Sequence, residues 1–117
     1  MWTDESYRQE LVSILQQRKL QPLFQPVLDF NTGHIQGYEA LIRGPSDSPL
    51  HSPLVLFKVA HQCQLLAELE MLCRELSIAA FAAAGVQGDL YLNVNTLLLL
   101  SSTAPTIIKS RNLSSRS

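Results

Sequence analysis

The chain has 117 residues, of which 46% are hydrophobic and 16% are charged, with a formal net charge of −1. This length allows one domain of ordinary size, the composition is typical of a globular protein, and the small charge gives no electrostatic case for binding a nucleic acid polymer. No apolar run approaches the roughly 20 residues of a membrane segment and no secretory signal is visible, so we expect a cytoplasmic chain.

The first predicted elements are a helix and a β-hairpin. Apolar side chains recur at helical spacing over residues 4–18. Strands are predicted over residues 23–28 and 34–42, and the short turn at 31–33 requires them to pair antiparallel. Pro26 lies inside the first strand, which favours either a position at the edge of the sheet or an irregular ladder there.

Two helices and a further strand follow. The segment 44–52 contains prolines and serines and is predicted to be a loop. Helices are predicted over residues 53–63 and 65–84, with Gly85 as the stop of the second. Residues 89–95 alternate apolar and polar side chains, which predicts a third strand. Because helices intervene between the second and third strands, we expect these two to pair in parallel.

The last part of the chain differs in composition. Residues 96–117 contain Lys109, Arg111 and Arg116 but no acidic residue, and they are rich in serine and threonine. We therefore divide the chain into a folded portion, residues 1–98, and a basic tail, residues 99–117, which is predicted to be either disordered or unrelated to the folded portion.

The second strand carries two charged side chains on one face. Side chains alternate along a strand, so Glu39, Leu41 and Arg43 point the same way. Glu39 and Arg43 lie about 13 Å apart along the strand, too far for an ion pair. We expect this face to point into the core, where separated charges are costly. A ligand that meets a cation at one end and a phosphate at the other would satisfy both groups.

Three short motifs resemble those of one protein family. Glu39-Ala40-Leu41, followed by Ile42 and Arg43, is similar to the signature of the EAL domains, the bacterial cyclic di-GMP phosphodiesterases. Phe24-Gln25-Pro26 and Leu92-Asn93-Val94-Asn95 stand where that family has its first-strand and third-strand motifs. The resemblance covers about residues 7–98. It implies an α/β fold: the first three strands and flanking helices of an incomplete EAL-type (β/α)8 barrel, with the first strand antiparallel.

The resemblance also implies roles for five residues. Glu39 and Asn93 would be ligands of Mg²⁺ or Mn²⁺. Gln25, Leu41 and Arg43 would contact cyclic di-GMP, with the arginine on a phosphate group. Asn95 stands where the family usually has serine.

The same resemblance raises doubt about catalysis by this polypeptide. The other metal-binding acids of the family belong to the second half of the barrel, and this chain has no Asp or Glu after Asp89. We therefore expect a truncated phosphodiesterase domain, ended by a shifted frame, an early stop or a fragmentary gene model, that does not hydrolyse cyclic di-GMP to linear pGpG alone. Two alternatives stay open: a non-enzymatic module that binds itself or a protein partner through an exposed sheet edge, and a cyclic di-GMP receptor without turnover.

Overall fold

The structure is a computed structural model that describes residues 3–92 and 106–109. In chain order the elements are α1 (Asp4–Gln17), β1 (Gln21–Leu28), β2 (Ile35–Arg43), α2 (Pro53–Gln62), α3 (Leu66–Ala84), β3 (Asp89–Leu92) and β4 (Thr106–Lys109). The α/β class predicted from the sequence is confirmed. Among the described helices, none combines the length and the apolar character that a bilayer-spanning segment requires.

The strands form one mixed sheet in the order β1-β2-β3-β4. The β1–β2 pair is antiparallel and the β2–β3 pair is parallel, so both predicted pairings are confirmed. Strand β1 lies at an edge of this sheet and contains Pro22 and Pro26, which confirms the edge position that Pro26 indicated. That these strands are part of an incomplete EAL-type barrel stays a prediction.

Strand β4 was not predicted. It pairs antiparallel with β3 and lies within residues 99–117, the segment assigned to the tail. Thr106, Ile107 and Ile108 are all β-branched, a residue type that favours strands. Four residues are too few for an alternating pattern to be detected in the sequence. The strand is recognised only by its pairing with β3. The division of the chain at residue 98 stays a prediction.

The β1–β2 connection is closed by its own hydrogen bonds. The Asp29 N–H donates to the His34 carbonyl at 2.9 Å, and the Gly33 N–H donates to the Asp29 carbonyl at 2.7 Å. The Asp29 carboxylate also accepts from the Asn31 N–H at 2.8 Å. Gly33 has a φ of 74°, a conformation that costs glycine little. These bonds hold the hairpin in the register that determines which side chains face each other.

Local capping signals determine where the helices begin and end. Thr3 and Ser6 form a capping box at α1, in which the Ser6 N–H donates to the Thr3 hydroxyl at 3.1 Å and the Thr3 N–H donates to the Ser6 hydroxyl at 2.6 Å. Gly85 follows α3 with a φ of 65°, which confirms it as the predicted stop.

Helix α3 covers one face of the sheet. Phe81 is 1% exposed and packs with Ala40, Leu90 and Leu92 of the strands. A second cluster joins α1, α2 and α3 to the end of β2 through Ile42. The apolar core therefore lies on the side of β2 that carries the even-numbered residues.

Neither cysteine is disulfide-bonded, and Cys73 is held as a thiol. Burial, and then the nearby Glu70 carboxylate, raise the pKa of Cys73 from 9.0 to about 12. Because the thiolate is the reactive form, a higher pKa lowers reactivity at a given pH.

We predict that Cys73 in a Cys63→Ser variant is alkylated far more slowly in the folded chain than in urea. A shift from 9.0 to about 12 lowers the thiolate fraction at pH 8 roughly a thousandfold. In urea, the iodoacetamide reaction rate should level off once the pH exceeds the ordinary thiol pKa of 9.0, whereas in the folded chain it should keep rising toward a pH of about 12. Mass spectrometry gives both rates. Equal rates in the two states would contradict the prediction.

Candidate functional site

The two faces of β2 have different surroundings. Ala40 and Ile42, at 6% and 8% exposure, lie beneath the helices. Glu39, Leu41 and Arg43 are half-buried and belong to the opposite face. The two separated charges on β2 led us to expect that this second face points into the core. That expectation is corrected, because within the described residues the helix-packed core lies against the Ala40 side, whose side chains are apolar.

Strand pairing places polar side chains in a row across the sheet. Gln25 of β1 is the direct partner of Glu39, and Tyr91 of β3 is the parallel partner of the same glutamate. Residues paired in this way lie on the same face, with neighbouring strands about 4.8 Å apart. The register thus pairs Gln25 with Glu39 across β1 and β2, and it places Tyr91 on the other side of Glu39.

Arg43 lies on the same face, at the carboxyl end of β2. Its partner on β1 is Gln21, and between this pair and the Gln25–Glu39 pair lie two leucines, Leu23 and Leu41, that face each other. Leu41 therefore separates the polar positions 39 and 43, at about 7 Å from each along the strand. The arrangement suits a ligand with two charged or polar ends and a less polar middle.

The loop after β2 is clamped directly beside Arg43. The Gly44 N–H donates to the His51 carbonyl at 3.0 Å, and the His51 ring Nδ1 lies 2.9 Å from the Gly44 carbonyl. A carbonyl oxygen only accepts, so Nδ1 carries the proton in this bond. The loop carbonyl of Leu50 leaves no room for a Cβ on residue 44. Glycine at position 44 therefore permits the close return of the loop.

The donor chemistry of this face fits part of a cation site. Glu39 offers a carboxylate and Gln25 an amide oxygen, and Mg²⁺ and Mn²⁺ prefer such hard oxygen ligands. The described residues contain no group of three or more His, Cys, Asp or Glu that could hold a metal ion. Asn93, the second predicted ligand, lies outside the described residues. The described face therefore supplies only part of the ligand set that a cation site requires.

Two cavities lined by described residues lie elsewhere. One, of about 630 Å³, lies between α1 and the end of α2, and the other, of about 260 Å³, lies beside α3. Neither is lined by Gln25, Glu39, Leu41 or Arg43. Among the described residues, the candidate site is a face of the sheet that belongs to neither of these two cavities.

Comparison with protein families assigns the chain to a family. The family model described as EAL domain matches residues 5–115. The chain is therefore a member of the EAL domain family, the family of cyclic di-GMP phosphodiesterases. Searches of the curated proteins and of the solved structures found no match. The matched residues include both sides of the division proposed at residue 98.

Sequence reasoning missed three residues of this region. Tyr91 was seen only as an alternating strand residue, and its place beside Glu39 depends on the β2–β3 register. His51 and Gly44 both belong to the predicted loop 44–52, where no periodic pattern singles them out. A glycine directly after a charged strand end was the one signal that could have suggested a close backbone approach.

Proposed function

We propose that the sheet face carrying Gln25, Glu39, Leu41 and Arg43 is the cyclic di-GMP and cation face of an EAL phosphodiesterase domain. One observation carries the proposal: in a chain of this family, Gln25 and Glu39 are direct cross-strand partners and share with Arg43 the face opposite the helix layer. Asn93, two residues beyond Tyr91 along the chain, is proposed as a further ligand.

Each side chain has a task in this proposal. The Arg43 guanidinium forms a bidentate fork with phosphate oxygens, which a lysine could not reproduce. Leu41 provides an apolar contact between the polar ends, and Gln25 donates or accepts a hydrogen bond at the dinucleotide. Glu39 holds Mg²⁺ or Mn²⁺. In a complete site, an ion of this kind would supply an activated water and would offset charge on the phosphate.

The described face supplies too few carboxylates for hydrolysis by this polypeptide alone. Two-metal phosphodiester hydrolysis needs cations roughly 4 Å apart, held by several carboxylates. The described face offers Glu39, and the sequence has no acidic residue after Asp89. We therefore propose that the chain by itself binds cyclic di-GMP weakly and does not hydrolyse it. Self-association or binding to a protein partner through an exposed sheet edge stays a separate prediction.

We predict that cyclic di-GMP perturbs this face and is not consumed. In the presence of Mg²⁺, NMR titration should shift resonances of Gln25 and of residues 39–43, and chromatography should show no linear pGpG. Arg43→Ala should remove the shifts and Arg43→Lys should weaken them, because only arginine presents the planar fork.

Arg74→Ala is the matched control, since it removes an exposed arginine of α3 on the helical side. It should leave the titration unchanged. Hydrolysis by the purified chain would overturn the proposal of inactivity. Shifts confined to the helices would overturn the assignment of the face.

A further inference from the structure

The ring of His51 completes a two-bond link between the loop and the end of β2. The Gly44 N–H donates to the His51 carbonyl at 3.0 Å, as in an antiparallel strand pair. In such a pair the return bond would come from the His51 N–H, but that group donates to the Ser48 carbonyl at 3.1 Å. The ring Nδ1 takes its place and lies 2.9 Å from the Gly44 carbonyl. Closing the pair therefore requires a side-chain donor at position 51.

Arg43 lies between two anchored neighbours. Ile42 precedes it and is buried in the same apolar cluster as Leu50, the residue before His51. Gly44 follows it and is bonded to His51 in both directions. The backbone is therefore fixed on one side of Arg43 by apolar packing and on the other side by the loop.

The Arg43 side chain depends on this backbone for its direction. Among residues 3–92 and 106–109, no group forms a hydrogen bond or an ion pair with its guanidinium. The side chain is long and has many rotamers, and a bidentate contact with a phosphate needs two N–H groups to meet two oxygens in one plane. A strand end that moves would spread the guanidinium over several directions and lower the affinity for the phosphate.

We propose that His51 is a positioning residue for Arg43. By donating to the Gly44 carbonyl, the Nδ1–H holds the end of β2 so that the guanidinium meets phosphate oxygens in one geometry. The inference rests on the proposed function, because it requires Arg43 to bind a phosphate group of cyclic di-GMP. It does not depend on any cation, so it is tested without one.

Two substitutions at position 51 separate the hydrogen bond from the packing of the ring. His51→Phe keeps an aromatic ring without a donor, whereas His51→Asn loses the ring but retains an amide N–H donor. NMR titration with cyclic di-GMP, in buffer free of divalent cations, gives the affinity of each variant. His51→Phe should bind roughly two- to tenfold more weakly, the usual cost of one lost hydrogen bond. His51→Asn should bind as tightly as the unmodified chain.

The comparison between these two variants decides the role of the donor. Equal affinities of His51→Phe and His51→Asn would overturn the inference, and so would weaker binding by His51→Asn than by His51→Phe. His61→Phe is the matched control, because it makes the same change at an exposed histidine in the last turn of α2. It should leave the affinity unchanged.

Arg43→Ala separates failure of this inference from failure of the proposed function. It should abolish the shifts that cyclic di-GMP causes at the end of β2. If the unmodified chain shows no such shifts, or if Arg43→Ala keeps them, the phosphate role of Arg43 is overturned, and this inference with it. If Arg43→Ala abolishes them but His51→Phe binds as the unmodified chain does, only the positioning role of His51 is overturned.

The unmodified chain decides if circular dichroism shows that either His51 variant is unfolded. Its His51 Nδ1–H resonance should then shift with added cyclic di-GMP in step with the Arg43 Nε–H resonance, because the two groups are joined through Gly44. A His51 resonance that stays in place while the Arg43 resonance shifts would overturn the inference.

Discussion

Replacing Phe81 by alanine is expected to lower the free energy of unfolding by about 3–5 kcal/mol. Phe81 is 1% exposed, and its ring centroid lies 5.5 Å from that of Phe24 and 6.0 Å from that of Tyr38. The side chain connects α3 to both β1 and β2. Its removal would lose the burial of a large apolar group and leave a cavity between helix and sheet. Urea unfolding monitored by circular dichroism measures the change.

Met71→Ala provides the comparison for Phe81→Ala. Met71 lies on the same helix but is 63% exposed, so its replacement should change the unfolding free energy by no more than about 0.5 kcal/mol. Similar losses from the two variants would show that Phe81 does not join α3 to the sheet as described. A large loss from Phe81→Ala alone supports the description.

Replacing Gly44 by alanine is the second large expected effect. The added Cβ would collide with the Leu50 carbonyl, and because that atom belongs to the backbone, the loop itself must move. The move would break the paired bonds between Gly44 and His51. Forced overpacking of this kind typically costs about 1–3 kcal/mol. We also expect the Arg43 resonances to shift, since residue 44 follows it directly.

Ser46→Ala is the control for the loop. Ser46 lies in the same segment but is exposed, so its replacement should change neither stability nor the Arg43 resonances appreciably. Unfolding experiments and NMR spectra of both variants measure the difference. A Gly44→Ala variant as stable as the unmodified chain would contradict the close approach of the loop.

Much of the secondary structure was predictable because its signals are local. Helix α3 consists of strong helix formers and ends at Gly85, and its predicted and observed bounds differ by one residue at the start. The antiparallel hairpin followed from the short turn, and the parallel β2–β3 pair followed from the intervening helices. In each case a few neighbouring residues carry the information.

The other features depend on residues that are distant in the chain. Whether Glu39 faces helices or an open side is determined by how α3 packs, and a strand of alternating side chains does not reveal this. The contact of Tyr91 with Gly37 requires the register between β2 and β3. The hydrogen bond of His51 to Gly44 depends on the path of a loop, for which no periodic pattern exists.

The candidate site was predicted from short family motifs as well as from the placement of charges along a strand. The tripeptide at residues 39–41 and its neighbours indicated the family, and the family model then matched residues 5–115. Spacing along β2 correctly placed Glu39, Leu41 and Arg43 on one face. The partnership of Gln25 with Glu39 joins two strands, and it became visible only with the observed register.

The two prolines of β1 affect how copies of this chain can associate through the edge of the sheet. Proline has no N–H, and within a sheet it is tolerated where that missing donor would point away from the neighbouring strand. Positions 22 and 26 are four apart and so present the same side of the strand outward. A strand that pairs with this edge would therefore lack an N–H donor at both positions. This border of the sheet therefore resists templating further strands, and stacking of copies into fibrils would have to start elsewhere on the molecule.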